Sequence, residues 1–297
     1  MYDDSTRGLD LLGVDGALHA LATLDTAPAG VADSPDGQSL VYSLVSWSGA
    51  GQSTGPIATS RIYVLAYGGA PRLVATLSRP NGTGAPRGAY LGGYRVLRWD
   101  AAGVLLGSDP TGVGGYGPFI GEGYGLSTVV RLDPTTGSVS SPLTPGCRFS
   151  DVAGDGTTAC VSGSAIEVRS PSGSTRTIDT GAKWVGDVAF TSDSSSLTFS
   201  TAIYPQGEAS SVGWFDHLFV VHLGGGLPAP RELTPPEGWR VSETFAFDRL
   251  LDPNTVAEVI DTSNFEHDTV ELVDLTTGRT TPITPVDPGG DSIIGVP

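Results

Sequence analysis

The chain has 297 residues, 39% of them apolar, so it can bury the core of one large all-β domain or two average ones. Its formal net charge of −16 argues against a nucleic-acid partner, because phosphates must be neutralised by Lys and Arg. No stretch approaches the ~20 apolar residues of a transmembrane helix, and the acidic start, MYDDSTRG, is unlike a signal peptide. We therefore expect no nucleic acid among the partners and no membrane insertion.

The clearest repeating unit lies at 31–77 and contains four short strand patterns. Its first turn, Ser34-Pro35-Asp36-Gly37, combines the fixed φ of proline with a glycine that accepts positive φ. Residues 39–45 then alternate with the period of two that is typical of a strand, and residues 62–66 continue this alternation after a polar insert. Gly68-Gly69 closes a second hairpin. A four-stranded antiparallel unit of this size predicts one blade of a β-propeller.

Both halves of this unit recur along the chain. The second half is a strand, a turn and another strand that often ends in Leu-Thr, and its copies lie at 8–24, 61–77, 127–144, 165–178, 217–234 and 268–284. The first half recurs with more variation, at 31–45, 94–108, 149–162, 186–201 and 244–261. The chain therefore starts halfway through one unit, and residues 292–296 resemble the first strand of that same unit.

We predict an all-β, six-bladed β-propeller closed by strands from both termini, with five or seven blades as the alternatives. Strands from the two ends would share one sheet and so remove the free edges of an open ring. Only three strands are recognisable in that sheet, unless residues 1–6 contribute another. We assign residues 1–297 to a single propeller domain, with blades at roughly 26–77, 90–144, 147–178, 184–234 and 241–284 and a closing blade from 5–25 plus 291–297.

The repeats resemble those of the TolB-like or WD-type propellers of bacterial proteins. The resemblance depends on the SPDG turn followed by Ser39-Leu40-Val41-Tyr42, and on the hairpin at 218–234. More divergent sequences occupy the position of SPDG at 100–103, 154–156 and 192–194. The resemblance implies the fold but no particular activity, since its members include partner-binding proteins of the cell envelope and propeller domains attached to peptidases.

Two cysteines, Cys147 and Cys160, lie on either side of the turn at 154–156. On neighbouring strands they would be close enough for a disulfide, but the sequence does not set the pairing register. Small buried thiols are the alternative, because free cysteine is a common core residue. The cellular compartment therefore stays open at this point.

The candidate binding face is built from long loops that carry aromatic residues. In a blade, the loops after the second and fourth strands leave at one end, and here the loops at 46–60, 109–126, 202–216 and 262–267 are long. Binding residues concentrate on such loops, although the rings could instead pack the loops onto the blade ends. The candidate binding residues are Trp47, Tyr116, Phe119, Tyr124, Tyr204, Trp214, Phe215, Trp239, Phe265 and His267.

Several catalytic motifs match without their structural context. GQSTG at 51–55 fits G-x-S-x-G and GVGGYG at 112–117 fits G-x-G-x-x-G, but neither is followed by a predicted helix. The four histidines show no metal-binding spacing. Glu266-His267-Asp268 is the best candidate for acid–base chemistry or a cation, with a solvated polar loop as the alternative.

These observations favour a non-catalytic binding or scaffold propeller whose partner is a protein, peptide or glycan. We expect no catalytic residues, no metal ligands and no cofactor, with a divalent cation such as calcium as the alternative. One competing hypothesis is a propeller hydrolase or lyase with carboxylates and a histidine, or a divalent metal, at the axis. Another is the propeller domain of a larger envelope protein or peptidase. We expect a monomer that is secreted or in the cell envelope, with the cytoplasm as the alternative.

Overall fold

The protein is described here by a computed structural model, in which the described residues form strands and turns but no helix. No helix long and apolar enough to span a membrane occurs in this part of the chain. The described residues are 2–3, 7–12, 18–48, 57–79, 91–110, 128–144, 147, 150–182, 184–191, 194–202, 217–224, 229–233, 240–241, 249–252, 255–261, 268–274, 276–283 and 291–292.

The strands are short and follow one another closely along the chain. In order they are β1 (Tyr2–Asp3), β2 (Gly8–Leu12), β3 (Leu18–Thr23), β4 (Val31–Asp33), β5 (Ser39–Ser48), β6 (Ile57–Ala66), β7 (Arg72–Arg79), β8 (Leu91–Asp100), β9 (Gly103–Pro110), β10 (Thr128–Leu132), β11 (Ser150–Val152), β12 (Thr158–Ser162), β13 (Ala165–Arg169), β14 (Thr175–Asp179), β15 (Trp184–Phe190), β16 (Ser196–Ala202), β17 (His217–His222), β18 (Arg231–Leu233), β19 (Arg240–Val241), β20 (Arg249–Asp252), β21 (Thr255–Asp261), β22 (Asp268–Asp274), β23 (Thr280–Ile283) and β24 (Asp291–Ser292).

The strands belong to two compact units. The first contains β1–β10 and β24, and the second contains β11–β23. The first unit contains the sheets β24-β1-β2-β3, β4-β5-β6-β7 and β8-β9-β10. The second contains β11-β12-β13-β14, β15-β16-β17-β18 and β19-β21-β22-β23, with β20 also paired to β21. Every pairing is antiparallel, as the repeat predicts. The assignment of the whole chain to one domain stays a prediction.

Both ends of the chain contribute to the first sheet. Tyr2 lies opposite Ser292 and Asp3 lies opposite Asp291, while β1 also pairs with β2. Residues 2–3 thus supply the additional strand that the sequence left uncertain. The pairing of the two chain ends, on which the predicted closure depends, is present.

In the first unit, the sheet β4–β7 buries apolar side chains on both of its faces. Leu40, Tyr42 and Leu65 pack toward β2 and β3. Val41 and Ile62 point the other way and pack against the sheet β8–β10. Alternation along a strand sends successive side chains to opposite faces, so a run such as Leu-Val-Tyr serves two cores at once.

The sheet β8–β10 differs from the prediction at its outer edge. A strand was expected near 138–144, but in this segment only Val139 forms a β-bridge, to Leu132. The hydroxyls of Ser140 and Thr144 instead accept hydrogen bonds from the backbone N–H groups of Arg131 (2.9 Å) and Val129 (3.1 Å). These hydroxyls take the place of backbone carbonyls as acceptors. The N–H groups of Val129 and Arg131 in β10 are therefore hydrogen-bonded without a regular partner strand.

In the second unit, one core lies between the sheets β11–β14 and β15–β18. The buried carboxylate of Asp151 links the two sheets that form this core. Asp151 accepts hydrogen bonds from the backbone N–H of Val152 (2.7 Å) and, on the neighbouring sheet, from that of Phe190 (2.8 Å). Because a buried carboxylate requires such donors, Asp151 fixes the position of β11 relative to β15.

The turns between the first and second strands of four sheets share one backbone feature. In the SPDG turn, Gly37 has φ +62° and its N–H donates to the carbonyl of Ser34 at 2.8 Å. Gly103 and Gly156 have the same positive sign of φ, at +128° and +87°. Ser194 occupies the equivalent position with φ +60° and donates to Thr191 at 2.8 Å. Gly156 and Ser194 therefore retain both the positive φ and the backbone hydrogen bond of Gly37, whereas the turn at 100–103 shares only the sign of φ.

The two cysteines form a disulfide, which resolves the alternative left open by the sequence. Cys160 lies in β12 opposite Ser150 of β11, and Cys147 lies just before β11, with the two Cα atoms 5.3 Å apart. The bridge closes a short loop around β11, which pairs with its neighbour through only three residues.

Replacing Ser194 with glycine is expected to stabilise the protein by about 0.5–1 kcal/mol. A side chain at positive φ costs about 1–2 kcal/mol, which the substitution removes. Glycine is more flexible in the unfolded chain, and this opposes the gain by about 0.5–1 kcal/mol. Urea denaturation measures the difference. The matched control is Gly37→Ser, which should lower the free energy of unfolding. A destabilised Ser194→Gly protein would contradict the argument.

Replacing both Cys147 and Cys160 with serine is expected to lower the free energy of unfolding by about 2–4 kcal/mol, the usual effect of a disulfide closing a short loop. Reduction of the wild-type protein should have the same effect in a thermal melt, and the reductant should leave the double variant unchanged. Equal stability of the oxidised and reduced proteins would show that the bridge constrains nothing.

Candidate functional site

Among the predicted binding residues, Trp47 lies in the described part of the chain. It belongs to β5, and its side chain is 48% exposed. The remaining candidates lie outside the described residues, and they stay predictions: Tyr116, Phe119, Tyr124, Tyr204, Trp214, Phe215, Trp239, Phe265 and His267.

The predicted loop at 46–60 is wrong at both of its ends. Ser46 pairs with Thr59, Trp47 with Ala58, and Ser48 with Ile57, so the two strands extend well into the expected loop. The sequence contains a signal for this extension, because Ser-Trp-Ser continues the polar–apolar alternation of β5. Trp47 is therefore held by a ladder of backbone hydrogen bonds.

The row of residues next to Trp47 is anchored to the neighbouring sheet. Val45 and Ser60 form this row, and the Ser60 hydroxyl accepts a hydrogen bond from the backbone N–H of Tyr94 at 2.7 Å. Gly93 packs so closely that a Cβ there would lie 2.5 Å from Val45 and 2.7 Å from Ser60. Trp47 thus extends one row beyond a fixed contact with β8, on the same side of the sheet.

The opposite side of this sheet end is polar. Ser46, Thr59 and Ser78 occupy one row across β5, β6 and β7. The Thr59 and Ser78 hydroxyls are 3.4 Å apart, and the Ser46 hydroxyl donates to the carbonyl of Thr59 at 3.4 Å. In the next row on this side, Arg61 and Thr76 are exposed. We call these rows, together with the row of Trp47, the ledge: residues 46–48, 57–61 and 76–79.

At the other end of the same sheet, a tyrosine holds a carboxylate. The Tyr67 hydroxyl donates a hydrogen bond to Asp33 Oδ1. Burial raises the pKa of Asp33 above its ordinary value, and the hydrogen bond from Tyr67 opposes this effect. Burial and the neighbouring Asp33 both raise the pKa of Tyr67. The pair joins the end of β4 to the turn after β6 and has a structural role.

Two other aspartates belong to turns of one sequence type, D-x-T-T-G. Asp133 and Asp274 each accept hydrogen bonds from the backbone N–H groups two and three residues later. These bonds are the main reason that the pKa of each carboxyl lies below its ordinary value. Since their oxygens are used within the turn, these carboxylates are structural features.

A serine and a histidine also meet in the second unit. Ser196 Oγ and His222 Nδ1 are 2.7 Å apart on paired strands. The serine is 2% exposed, so its hydroxyl is closed to a substrate, whereas a nucleophile must be reached. No group of three or more His, Cys, Asp or Glu side chains suited to a metal ion occurs among the described residues.

Comparison with known proteins gives the fold. No protein-family model matches the chain, and no curated protein matches it. A solved oligogalacturonate lyase in complex with manganese is 14% identical, with a TM-score of 0.50, over 92% of this chain and 69% of that chain. A TolB-like protein of Agrobacterium tumefaciens is 15% identical, with a TM-score of 0.50, over 95% of this chain and 86% of that chain. The chain has a β-propeller fold.

A further solved structure, of the AtxE2 isopeptidase with a bound astexin, has a TM-score of 0.39 and 14% identity. The match covers 96% of this chain, which spans less than half of that protein, since only 44% of that chain is covered. At these identities the comparisons establish the propeller fold alone. The number of blades around the ring stays a prediction.

Within the propeller, two of the blades that the repeat predicts also share a stacked aromatic pair, which was not predicted from the sequence. The sheets β4–β7 and β15–β18 align so that Tyr42 corresponds to Phe199. Tyr42 stacks on Tyr63 with ring centroids 5.2 Å apart, and Phe199 stacks on Phe219 at the same 5.2 Å. The signal was the match of SLVYS at 39–43 with SLTFS at 196–200.

Replacing Tyr67 with phenylalanine is expected to lower the free energy of unfolding at pH 7 by about 0.5–1 kcal/mol, because a partly buried carboxylate loses its donor. The raised pKa of Asp33 means that this carboxyl favours folding at low pH and that its contribution is lost as the pH rises through that pKa. The effect of the substitution should therefore shrink at pH 3. Tyr63→Phe serves as the control, because it removes a tyrosine hydroxyl that does not bond Asp33. If Tyr67→Phe lowers the free energy of unfolding equally at pH 3 and pH 7, the proposed role of the Tyr67–Asp33 hydrogen bond is wrong.

Proposed function

We propose that the chain is a non-catalytic binding or scaffold propeller that presents an aromatic loop face to a protein, peptide or glycan. The observation that carries this proposal is the exposed indole of Trp47 at the end of a regular hairpin. Large aromatic rings give much contact area at a low cost in conformational entropy. The predicted face contains further aromatic residues, which would extend the surface around Trp47.

The position of Trp47 supports binding rather than packing. Its cross-strand partner Ala58 is 1% exposed, yet the indole itself remains 48% exposed. A ring that served only to cover the blade end would be expected to bury most of its surface. Because the adjacent row is anchored to β8 through Ser60, the strand that carries the ring is held in place before a ligand arrives.

The disulfide supports a location in an oxidising compartment, either outside the cell or in its envelope. The TolB-like neighbour fits an envelope context but does not by itself carry the proposal. We also propose that the protein acts as a monomer and needs no cofactor. The hydrolase or lyase alternative, and that of a domain within a larger protein, stay predictions.

Replacing Trp47 with alanine is expected to weaken binding of a ligand selected from glycan and peptide arrays by at least about tenfold, which is typical of an aromatic hot spot. The melting temperature should change little, since the ring is half exposed. Leu73→Ala is the matched control, because Leu73 is 50% exposed on the same sheet but lies near its other end. Equal binding by both variants would contradict the proposed face.

A further inference from the structure

The outer strand of the sheet β4–β7 leaves backbone groups unpaired. β7 is the last strand of this sheet and pairs with β6 on one side only. The N–H and carbonyl of Ser43 in β5 bond to the segment just before β4, so its partner Ile62 on β6 directs its own backbone groups to the other side, toward Ala75 of β7. Because this direction alternates along a strand, Thr76 and Ser78 point their N–H and carbonyl groups away from β6.

The far half of this edge is accessible. At the start of β7 the turn that contains Gly137 lies against the strand, and a Cβ there would be 2.4 Å from the carbonyl oxygen of Val74. Farther along, Thr76 and Ser78 are exposed, and their outward backbone groups have no hydrogen-bond partner among the described residues. We call residues 75–79 the open edge. It offers N–H donors and carbonyl acceptors at the spacing of a β-strand.

The sheet that carries the open edge is basic. Residues 37–99, which include β5, β6 and β7, contain six arginines and no aspartate or glutamate, whereas the whole chain has a net charge of −16. Arg61 is exposed and lies directly opposite Thr76, on the same face of the sheet. Within the described part of the chain, no carboxylate pairs with Arg61. Its guanidinium is therefore available to an anion that lies beside the open edge.

We propose that the open edge binds an extended acidic peptide of a partner protein as an added antiparallel strand. A peptide residue opposite Thr76 exchanges two backbone hydrogen bonds with it and directs its side chain to the face of Arg61. Two strand spacings, about 10 Å, separate that residue from Arg61, and extended glutamate and arginine side chains together span this distance over the small Thr76. The resulting ion pair is charge-assisted hydrogen bonding of the strong kind. Trp47 takes no part in it, so this site goes beyond the proposed function.

A second copy of this chain is the main competing occupant, and charge disfavours it. Pairing of two open edges would place two basic segments side by side, and like charges on paired strands repel each other. Charged residues at an edge strand also protect proteins against such self-association. The net charge of −16 repels an acidic peptide at long range, but screening over about 8 Å at physiological salt limits this repulsion. The local charge therefore favours an acidic peptide over a second copy.

The test is calorimetric titration of the full chain with a short capped peptide of alternating glutamate and valine. Methylation of the glutamate backbone nitrogens should abolish binding, because these N–H groups point to β7, whereas methylation of the valine nitrogens should be tolerated. Thr76→Pro removes an outward N–H without breaking the ladder between β6 and β7, and it should weaken binding about fivefold. Thr76→Val retains that N–H and is the matched control, which should bind like the wild-type protein.

The charge of the peptide is tested separately. Arg61→Gln is expected to weaken binding about tenfold, the effect of one lost charge-assisted hydrogen bond. Arg169→Gln is the matched control, an exposed arginine on β13 outside the basic segment, and should have no effect. A peptide with lysine in place of glutamate should bind more weakly than the acidic peptide.

The possible results separate this inference from the proposed function. Equal binding of the lysine peptide, or unchanged binding by both Thr76→Pro and the glutamate-methylated peptide, would overturn the inference. A dimer in sedimentation that Thr76→Pro dissociates would assign the open edge to a second copy instead. If Trp47→Ala abolishes binding and Thr76→Pro does not, the peptide binds the aromatic face, which supports the proposed function and overturns the added strand. If the peptide does not bind, the inference is wrong, while the array test of Trp47 still decides the proposed function. Matching melting temperatures confirm that each variant is folded.

Discussion

Burial of both faces of a sheet is the constraint on which the rest of this structure depends. Leu40, Val41 and Tyr42 are consecutive and all nearly inaccessible to solvent, at 4%, 0% and 2%. A sheet with one wet face could not accommodate such a run, because every second side chain would be exposed. Each burial contributes on the order of 1.5–3 kcal/mol, and this gain requires a neighbouring sheet on either side. Stacked sheets of this kind are the building principle of a propeller.

Apolar contacts bring neighbouring sheets together but allow one sheet to slide along the other. Hydrogen bonds between the sheets prevent this sliding. The Ser60 hydroxyl receives the N–H of Tyr94, and Asp151 receives the N–H of Phe190. Close approach of backbone adds a steric constraint, since a Cβ at Gly30, which has φ +111°, would lie 2.5 Å from the carbonyl oxygen of Val96. Both hydrogen bonds use a buried acceptor, so sliding one sheet along its neighbour would leave the Ser60 hydroxyl and the Asp151 carboxylate without these donors.

The fold was largely predictable because its signals are local. The SPDG turn and the Gly-Gly hairpin are encoded by residues that prefer those conformations, and the repeat allowed divergent copies to be recognised. The replacement of a strand at 138–144 was not predictable, because the hydroxyls of Ser140 and Thr144 compete with backbone carbonyls only once β10 is in place. Similarly, the disulfide could not be predicted, because it depends on the pairing register of β11 and β12, which the local sequence does not determine. The candidate site was less predictable than the fold, since exposure of Trp47 depends on how far the covering sheets extend.

That dependence on length connects the scaffold to its proposed activity. β5 and β6 have ten residues each, whereas β2 has five and β3 has six, so the face of the hairpin toward β2 and β3 extends beyond the strands that cover it. On this face the inner residues Leu40, Tyr42 and Leu65 are buried, whereas Ser46 and Arg61, farther along the strands, are exposed. Strand residues outside the core are free to carry hydroxyl and guanidinium groups without a desolvation cost in the folded state. In the proposed function, the hairpin therefore separates two tasks along one pair of strands, with stability supplied by the covered residues and recognition by the exposed residues beyond them.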